Sequence, residues 1–275
     1  MPARLNNNVH LKQIHHNMRI HFENAGTQIE KASSGMRVNR SSDDPADLAL
    51  ADRIDSELKA LVEGSRNVQQ SIQMLQVAEG ALGQVTDIVQ HMQTLATQAA
   101  SSTYNETDRS YINAEFQTLK DEIEHIAEFT TYNGINLLSA ETEFAIQAGP
   151  FGSNNDVARI TIGDMRATGP ELNLEAVSLE TGHDVRAALD RLEEVHQKVI
   201  GERNHIAAFQ NRLGLSATTT ASIVERMQGV EGAVRDADVA QTLSNLTRSQ
   251  IMTQTASSLA LEADVDIKRI LTLMQ

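Results

Sequence analysis

"ASSGMRVNRSSDDPADLAL", residues 32–50, interrupts a chain otherwise written mostly in helix-forming residues. Upstream of it, Leu11, Ile14, Met18, Phe22, Ala25, Ile29 and Ala32 recur at 3/4 spacing and mark one face of a helix. Gly35 can take the left-handed conformation that ends such a helix. Asp44 then reads as an N-cap, with Pro45 at the first helical position and Asp47 in the first turn. The stretch is therefore a joint between two helices. It also carries Arg37 and Arg40, two cations in a chain whose net charge is −14.

Beyond Pro45 the apolar residues keep a heptad. Leu58, Leu61, Ser65, Val68, Ile72, Leu75, Glu79 and Leu82 run at 4/3 spacing, and Ala78, Ala81, Val85, Ile88, Met92, Leu95 and Ala99 take over. A continuous helix to residue 100 would be about 84 Å long at 1.5 Å per residue. "SSTYNETD" (101–108) is a turn, and Ile112, Phe116, Leu119, Ile123 and Ile126 form the face of a third helix. Asn133-Gly134 signals another turn. "EFAIQAG" and "VARITIGDM" alternate on either side of "PFGSNND", which predicts a β-hairpin. After Gly182 the heptad returns, from Val185 through Leu192, Val199, Ile206 and Leu213 to Ala237. Residues 238–275 hold a poorer stripe through Leu243, Leu246, Ile267 and Leu271.

The predicted fold is thus dominated by α-helix: a long antiparallel coiled-coil rod with one small β-hairpin region. Its segments are 1–40, 41–139, 140–183, 184–237 and 238–275. Neither terminal stripe can hide its apolar face alone, and lone helices are marginal in water. Both ends are expected to be disordered in the free chain and to fold when other subunits bury them.

Composition closes off several functions. There is no cysteine and no tryptophan, which removes disulfides, thiol nucleophiles and thiolate metal sites. The acidic body between the ends argues against nucleic acid as a partner. No apolar run is long enough to span a membrane, and the N-terminus lacks the apolar core of a secretory signal. No two of the nine histidines are spaced i, i+4, as a pair of helical metal ligands requires. No H-E-x-x-H, P-loop, G-x-G-x-x-G or G-x-S-x-G motif occurs. Adjacent carboxylates such as Asp43-Asp44 and Glu193-Glu194 read as capping or solvated charges. The expectation is no enzyme and no cofactor.

Taken in order, these stretches resemble the bacterial flagellins. "ASSGMRVNRSSDDPADLAL" is similar to their N-terminal signature and "FTTYNGINLLS" (129–139) to their helix-to-hairpin turn. "AFQNRL" (208–213) and "VRDADVAQTLSNLTRSQIMTQTASSLAL" (234–261) are similar to their C-terminal signature. The resemblance implies a subunit that polymerises with copies of itself into the flagellar filament. The inner tube would be packed through Leu11, Ile14, Met18, Phe22, Ile29, Leu243, Leu246, Ile267 and Leu271.

By the same resemblance, the joint becomes a spoke between inner tube and outer shell. Gly35, Arg37, Asn39, Arg40, Asp43 and Asp44 would lie at subunit contacts, with the arginines facing acidic groups of a neighbour. Asp43 and Asp44 would cap the rod. Further implied partners are the flagellar export apparatus, an export chaperone, and the hook-junction and filament-cap proteins. Export would use the flagellum's own channel, to an external or periplasmic filament. At the positions where animal receptors recognise many flagellins stand His91, Leu95 and Glu115, with histidine replacing the usual arginine. The hook–filament junction protein, which shares both helical ends, is the nearest alternative; a soluble coiled-coil adaptor is another.

Overall fold

The structure is a computed structural model. It describes the backbone of residues 9–273, and within that span all side chains except those of His10, Gly182, His183, Asp264 and residues 266–273. Ile267 and Leu271 therefore belong to a helix, but their side chains lie outside the described residues. Five helices occur among the described residues: α1 (Val9–Ser34), α2 (Pro45–Ala99), α3 (Glu106–Phe129), α4 (Gly182–Arg235) and α5 (Val239–Leu273). Four short strands follow α3: β1 (Thr131–Tyr132), β2 (Ile135–Asn136), β3 (Thr142–Gln147) and β4 (Val157–Ile162).

Local chemistry sets the boundaries. Gly35 (φ +72°) ends α1 by donating its N–H to Lys31 O at 2.9 Å. Asp44 Oδ1 accepts from the backbone N–H of Ala46 (3.0 Å) and Asp47 (3.1 Å) and so caps α2. Asn105 and Asp108 form a reciprocal capping box at the start of α3. Asn133 and Gly134 both have positive φ, as a two-residue type I′ turn between β1 and β2 requires. β3 and β4 pair antiparallel, from Thr142 opposite Ile162 to Gln147 opposite Val157.

The chain divides into two compact units. Residues 57–225 form one, and residues 1–56 with 226–275 form the other. In the 57–225 unit, α2 and α4 run antiparallel, as Gln93 bonded to Glu193 and Arg203 beside both Glu79 and Thr86 show. Leu75, Leu82, Met92, Phe116 and Ile123 are fully buried, and Val185, Leu192, Val199 and Ile206 meet them from α4. These are the heptad positions the sequence marks.

The segment between β4 and α4 departs from the sequence reading. Residues 163–181 have no regular structure, yet Met165, Ala167, Leu172, Leu174 and Leu179 are buried in the same core. Side chains from the neighbouring helices hold the backbone of this strap. Arg191 donates to Leu172 O through Nε (3.1 Å) and Nη2 (2.8 Å), and Lys198 Nζ donates to Glu171 O at 2.7 Å. Asn113 Oδ1 accepts from Leu179 N at 2.9 Å. Within the strap, Asp164 is buried and holds Arg166 through both carboxylate oxygens. Burial pushes the Asp164 carboxyl up, but the hydrogen bonds and charge of Arg166 outweigh it and hold that carboxyl below the usual range. The same pair raises the Arg166 guanidinium above its ordinary value.

The other unit is built differently. Among its described residues the buried apolar ones are Ala25, Val38, Ala51, Ile54 and Ala256. α1 and α5 pack along each other. They run antiparallel, because the end of α1 and the start of α5 meet at a bridge between Met36 and Asp236. The described parts of both terminal segments, Val9–Ser34 and Val239–Leu273, are thus helical here, whereas the sequence expectation of disorder concerns the free chain before assembly. Along α5 the hydroxyls of Thr242, Thr247, Thr253, Thr255 and Ser258 each donate to the carbonyl four residues earlier.

Candidate subunit interface

The loop between α1 and α2 is a compact knot. Asn39 Nδ2 and Arg40 Nε both donate to Glu30 Oε1 at 2.8 Å. Asp43 Oδ2 accepts from the backbone N–H of Asn39 and Arg40, at 3.2 Å each. Those two donors, chiefly, hold the Asp43 carboxyl below the usual carboxylate range. Asp44 therefore caps α2 as the sequence indicates, while Asp43 closes the loop rather than the helix. Val38, which the sequence reading passed over, is the loop's buried anchor.

Arg37 reaches its own chain. Its Nη2 donates to Asp47 Oδ2 (2.6 Å) and to Val234 O (2.7 Å), and its backbone N–H donates to Arg235 O at 2.7 Å. Ala237 N returns a bond to Gly35 O at 2.8 Å. The sequence expectation set Arg37 and Arg40 against a neighbour's acids. In this structure they meet Asp47 and Glu30 of the same chain, each with much of its side chain still in solvent.

The apolar residues assigned to packing fall into two groups. Leu11, Ile14, Met18 and Leu246 are half-buried. Phe22 (72% exposed), Ile29 and Leu243 stand in solvent. α5 adds Val239, Ile251, Met252, Leu259, Leu261 and Val265, all exposed. Ile251 with Met252, and Leu259 with Leu261, cannot share one face at 3.6 residues per turn. α5 is therefore apolar around much of its circumference, not along the single stripe that the sequence reading drew. Between Val239 and Leu261 its only charge is Arg248. A helix of that kind is one built to be enclosed.

The innate-receptor positions are split. His91 Nε2 lies 3.7 Å from Glu115 Oε1 on the surface, but Leu95 is in the core. An open hollow in the 57–225 unit is lined by Glu141, Gly163, Glu202 and His205, with Lys198 on its wall. Lys198 is already paired with Glu171 and Glu194. Among the described residues no cluster of His, Asp or Glu could hold a metal ion, and no helix is long and apolar enough to cross a membrane.

Residues 5–143 match the bacterial flagellin N-terminal helical region. Over 271 residues, 98% of this chain and 99% of the relative, it is 30% identical to a flagellin of Halalkalibacterium halodurans. The chain belongs to the bacterial flagellin family. It is also 31% identical to a flagellar filament 31.3 kDa core protein of Treponema maltophilum, across 95% of this chain and 99% of that protein. In fold it is similar to a putative flagellar hook-associated protein of Vibrio parahaemolyticus. That likeness has a TM-score of 0.59 at 18% identity, over 70% of this chain and 100% of that one. Flagellins are structural proteins of the flagellum, not enzymes, and they self-polymerise.

Proposed function

We propose that this chain polymerises with copies of itself into the flagellar filament through the apolar surfaces that α1 and α5 leave uncovered. The observation that carries the reading is the exposure of Phe22, Ile29, Leu243, Ile251, Met252, Leu259 and Leu261 on two helices already paired with each other. Fully burying one such side chain is worth about 1.5–3 kcal/mol, so neighbours that cover several of them supply a strong drive to associate. The loop of Gly35, Arg37, Asn39, Arg40, Asp43 and Asp44 ties the end of α1 to the start of α2 and the end of α4 through its own hydrogen bonds, and would lie at subunit contacts. Arg37 and Arg40 are paired within the chain but keep part of their guanidinium surface in solvent, where a neighbour's acids could reach it.

Finer points of the reading rest on family likeness. They are export through the flagellum's own channel with a chaperone on residues 238–275, contact with hook-junction and cap proteins, and an extracellular or periplasmic location for the filament. Seeded polymerisation tests the central claim. Purified chain is added to short filament fragments under precipitating salt and followed by electron microscopy. Long filaments, lost on Leu243→Ser with Phe22→Ser, would support it. Chains that only cap the seeds would point to a hook-junction role, and chains that stay dispersed would remove the reading.

A further inference from the structure

Asn133-Gly134 is the one Asn-Gly pair in the chain and makes up the whole turn between β1 and β2. It lies in the 57–225 unit, which buries a large core of its own. Both residues are exposed, and the space where a Cβ on Gly134 would stand is empty. Among the described residues nothing bonds the Asn133 side chain or the Gly134 N–H. Other asparagines of the unit are placed differently. The side chains of Asn67, Asn105 and Asn113 are engaged with Gln147 O, Asp108 N and Leu179 N. Asn204 and Asn211 lie within α4, where the next residue's N–H is spent on the helix ladder. Asn173 also has positive φ, but the N–H that follows it, that of Leu174, is given to Ala167 O at 2.8 Å.

We propose that Asn133 is a self-modifying site: the Gly134 backbone nitrogen closes on the Asn133 side-chain carbonyl carbon, and the turn slowly converts to isoaspartate. Gly134 has no Cβ to obstruct that approach. The new N–C bond forms as the side-chain nitrogen leaves, carrying the Gly134 proton away in ammonia. Water then opens the cyclic imide. Attack at the side-chain carbonyl gives aspartate, and attack at the backbone carbonyl gives isoaspartate. Neither path needs an oxidant or a reductant. Isoaspartate routes the main chain through Cβ and Cγ, which adds one atom to a two-residue turn that has none to spare, together with a negative charge. That extra atom is felt close by. Tyr132 opposes Ile135 beside the turn. Two residues further out, Leu137 N donates to Thr130 O (3.0 Å), while Thr130 N closes α3 by donating to Ile126 O (3.0 Å). Leu137 and Leu138 are fully buried, and Leu138 O accepts from Met165 N at 2.9 Å. The end of α3, the core and the start of the strap therefore all hang from this turn. The inference concerns the folded unit and does not rest on what the chain assembles into.

The test uses the full chain, aged in mildly alkaline buffer beside Asn133→Gly, whose Gly-Gly pair also suits a type I′ turn. Isoaspartate is read by enzymatic methyl labelling of its carboxylate and located by mass spectrometry of proteolytic fragments. The expected result is label in the fragment carrying residue 133 of the native chain, ahead of any at Asn154 or Asn155, and loss of that label in Asn133→Gly. Amide exchange should then quicken at Leu137 and Met165 in the aged native chain and stay unchanged in the aged variant. Absence of label at 133, label that arises as fast at Asn154 or Asn155, or label that forms only in urea would overturn the site. Label at 133 with unaltered exchange at Leu137 and Met165 would overturn its coupling to the core. Should Asn133→Gly fold poorly, the position of the label in the native chain and its appearance without urea still decide.

Discussion

The two compact units differ in what they bury. In the 57–225 unit the large side chains are inside: Leu75, Leu82, Met92, Phe116, Leu137, Leu172 and Leu179 have essentially no contact with water. In the other unit the buried apolar residues are small or few, and Phe22, Leu243, Ile251 and Leu261 are outside. The first is a finished core. The second leaves much of its apolar surface uncovered, and the proposed polymerisation is what would complete it. The same contrast holds for charge, because most of the acidic residues fall between 57 and 225, while α5 is nearly uncharged over its first 23 residues.

Substitutions can break that contrast or sharpen it. The largest effect on the chain itself should come from Phe116→Ala, which empties a fully buried site and should cost about 3–5 kcal/mol in urea unfolding of the 57–225 unit. Phe22→Ser and Leu243→Ser are the counterpart. Their unfolding should shift by about 0.5 kcal/mol or less, as for other surface changes, while filament yield by sedimentation collapses. Equal unfolding losses at both sites would erase the distinction between the units.

Gly64→Ala should have an intermediate effect. A Cβ there would fall inside contact distance of Ala148 O, and the hairpin end is further tied to α2 by Asn67 Nδ2 donating to Gln147 O at 3.2 Å. Overpacking of this kind costs about 1–3 kcal/mol, and hydrogen exchange should show the loss in β3 and β4 before α2. The smallest effect is pH-dependent. Arg166 holds the Asp164 carboxyl below its ordinary value of 3.8, so the pair adds stability that is present above that pH and fades as acid titrates the folded carboxylate. The stability gap between the native chain and Asp164→Asn should be full at pH 6 and narrow below about pH 4. A gap that stays constant down to pH 2 would show that packing, not charge, is what the substitution removes.

Much of this was legible from residue patterns. Gly35, Pro45, Asn133-Gly134 and Gly182 marked the breaks, and heptad spacing picked out Leu75, Leu82, Leu192, Val199 and Ile206 as core. The strap at 163–181 escaped. Met165, Ala167, Leu172, Leu174 and Leu179 follow neither a period of 2 nor one of 3.6, because Arg191, Lys198 and Asn113 hold that backbone rather than its own repeat. Arg37 could be singled out as a conspicuous cation, but not its partners. Backbone carbonyls of Val234 and Arg235 carry no signal in residue type, and they lie nearly two hundred positions away. The surfaces of α5 were under-read for a related reason. A single 3/4 stripe leaves out Met252 and Leu261, whereas a helix to be enclosed carries apolar residues on several sides.

One feature of α5 bears on how such a helix can change surroundings. Thr242, Thr247, Thr253, Thr255 and Ser258 already give their protons to the helix's own carbonyls. A hydroxyl bonded to water must surrender that bond when a surface dries, at a cost of about 1–3 kcal/mol if nothing replaces it. These five have no donor bond to lose. The helix can therefore pass from a wet environment to a dry one with little dehydration penalty on that account.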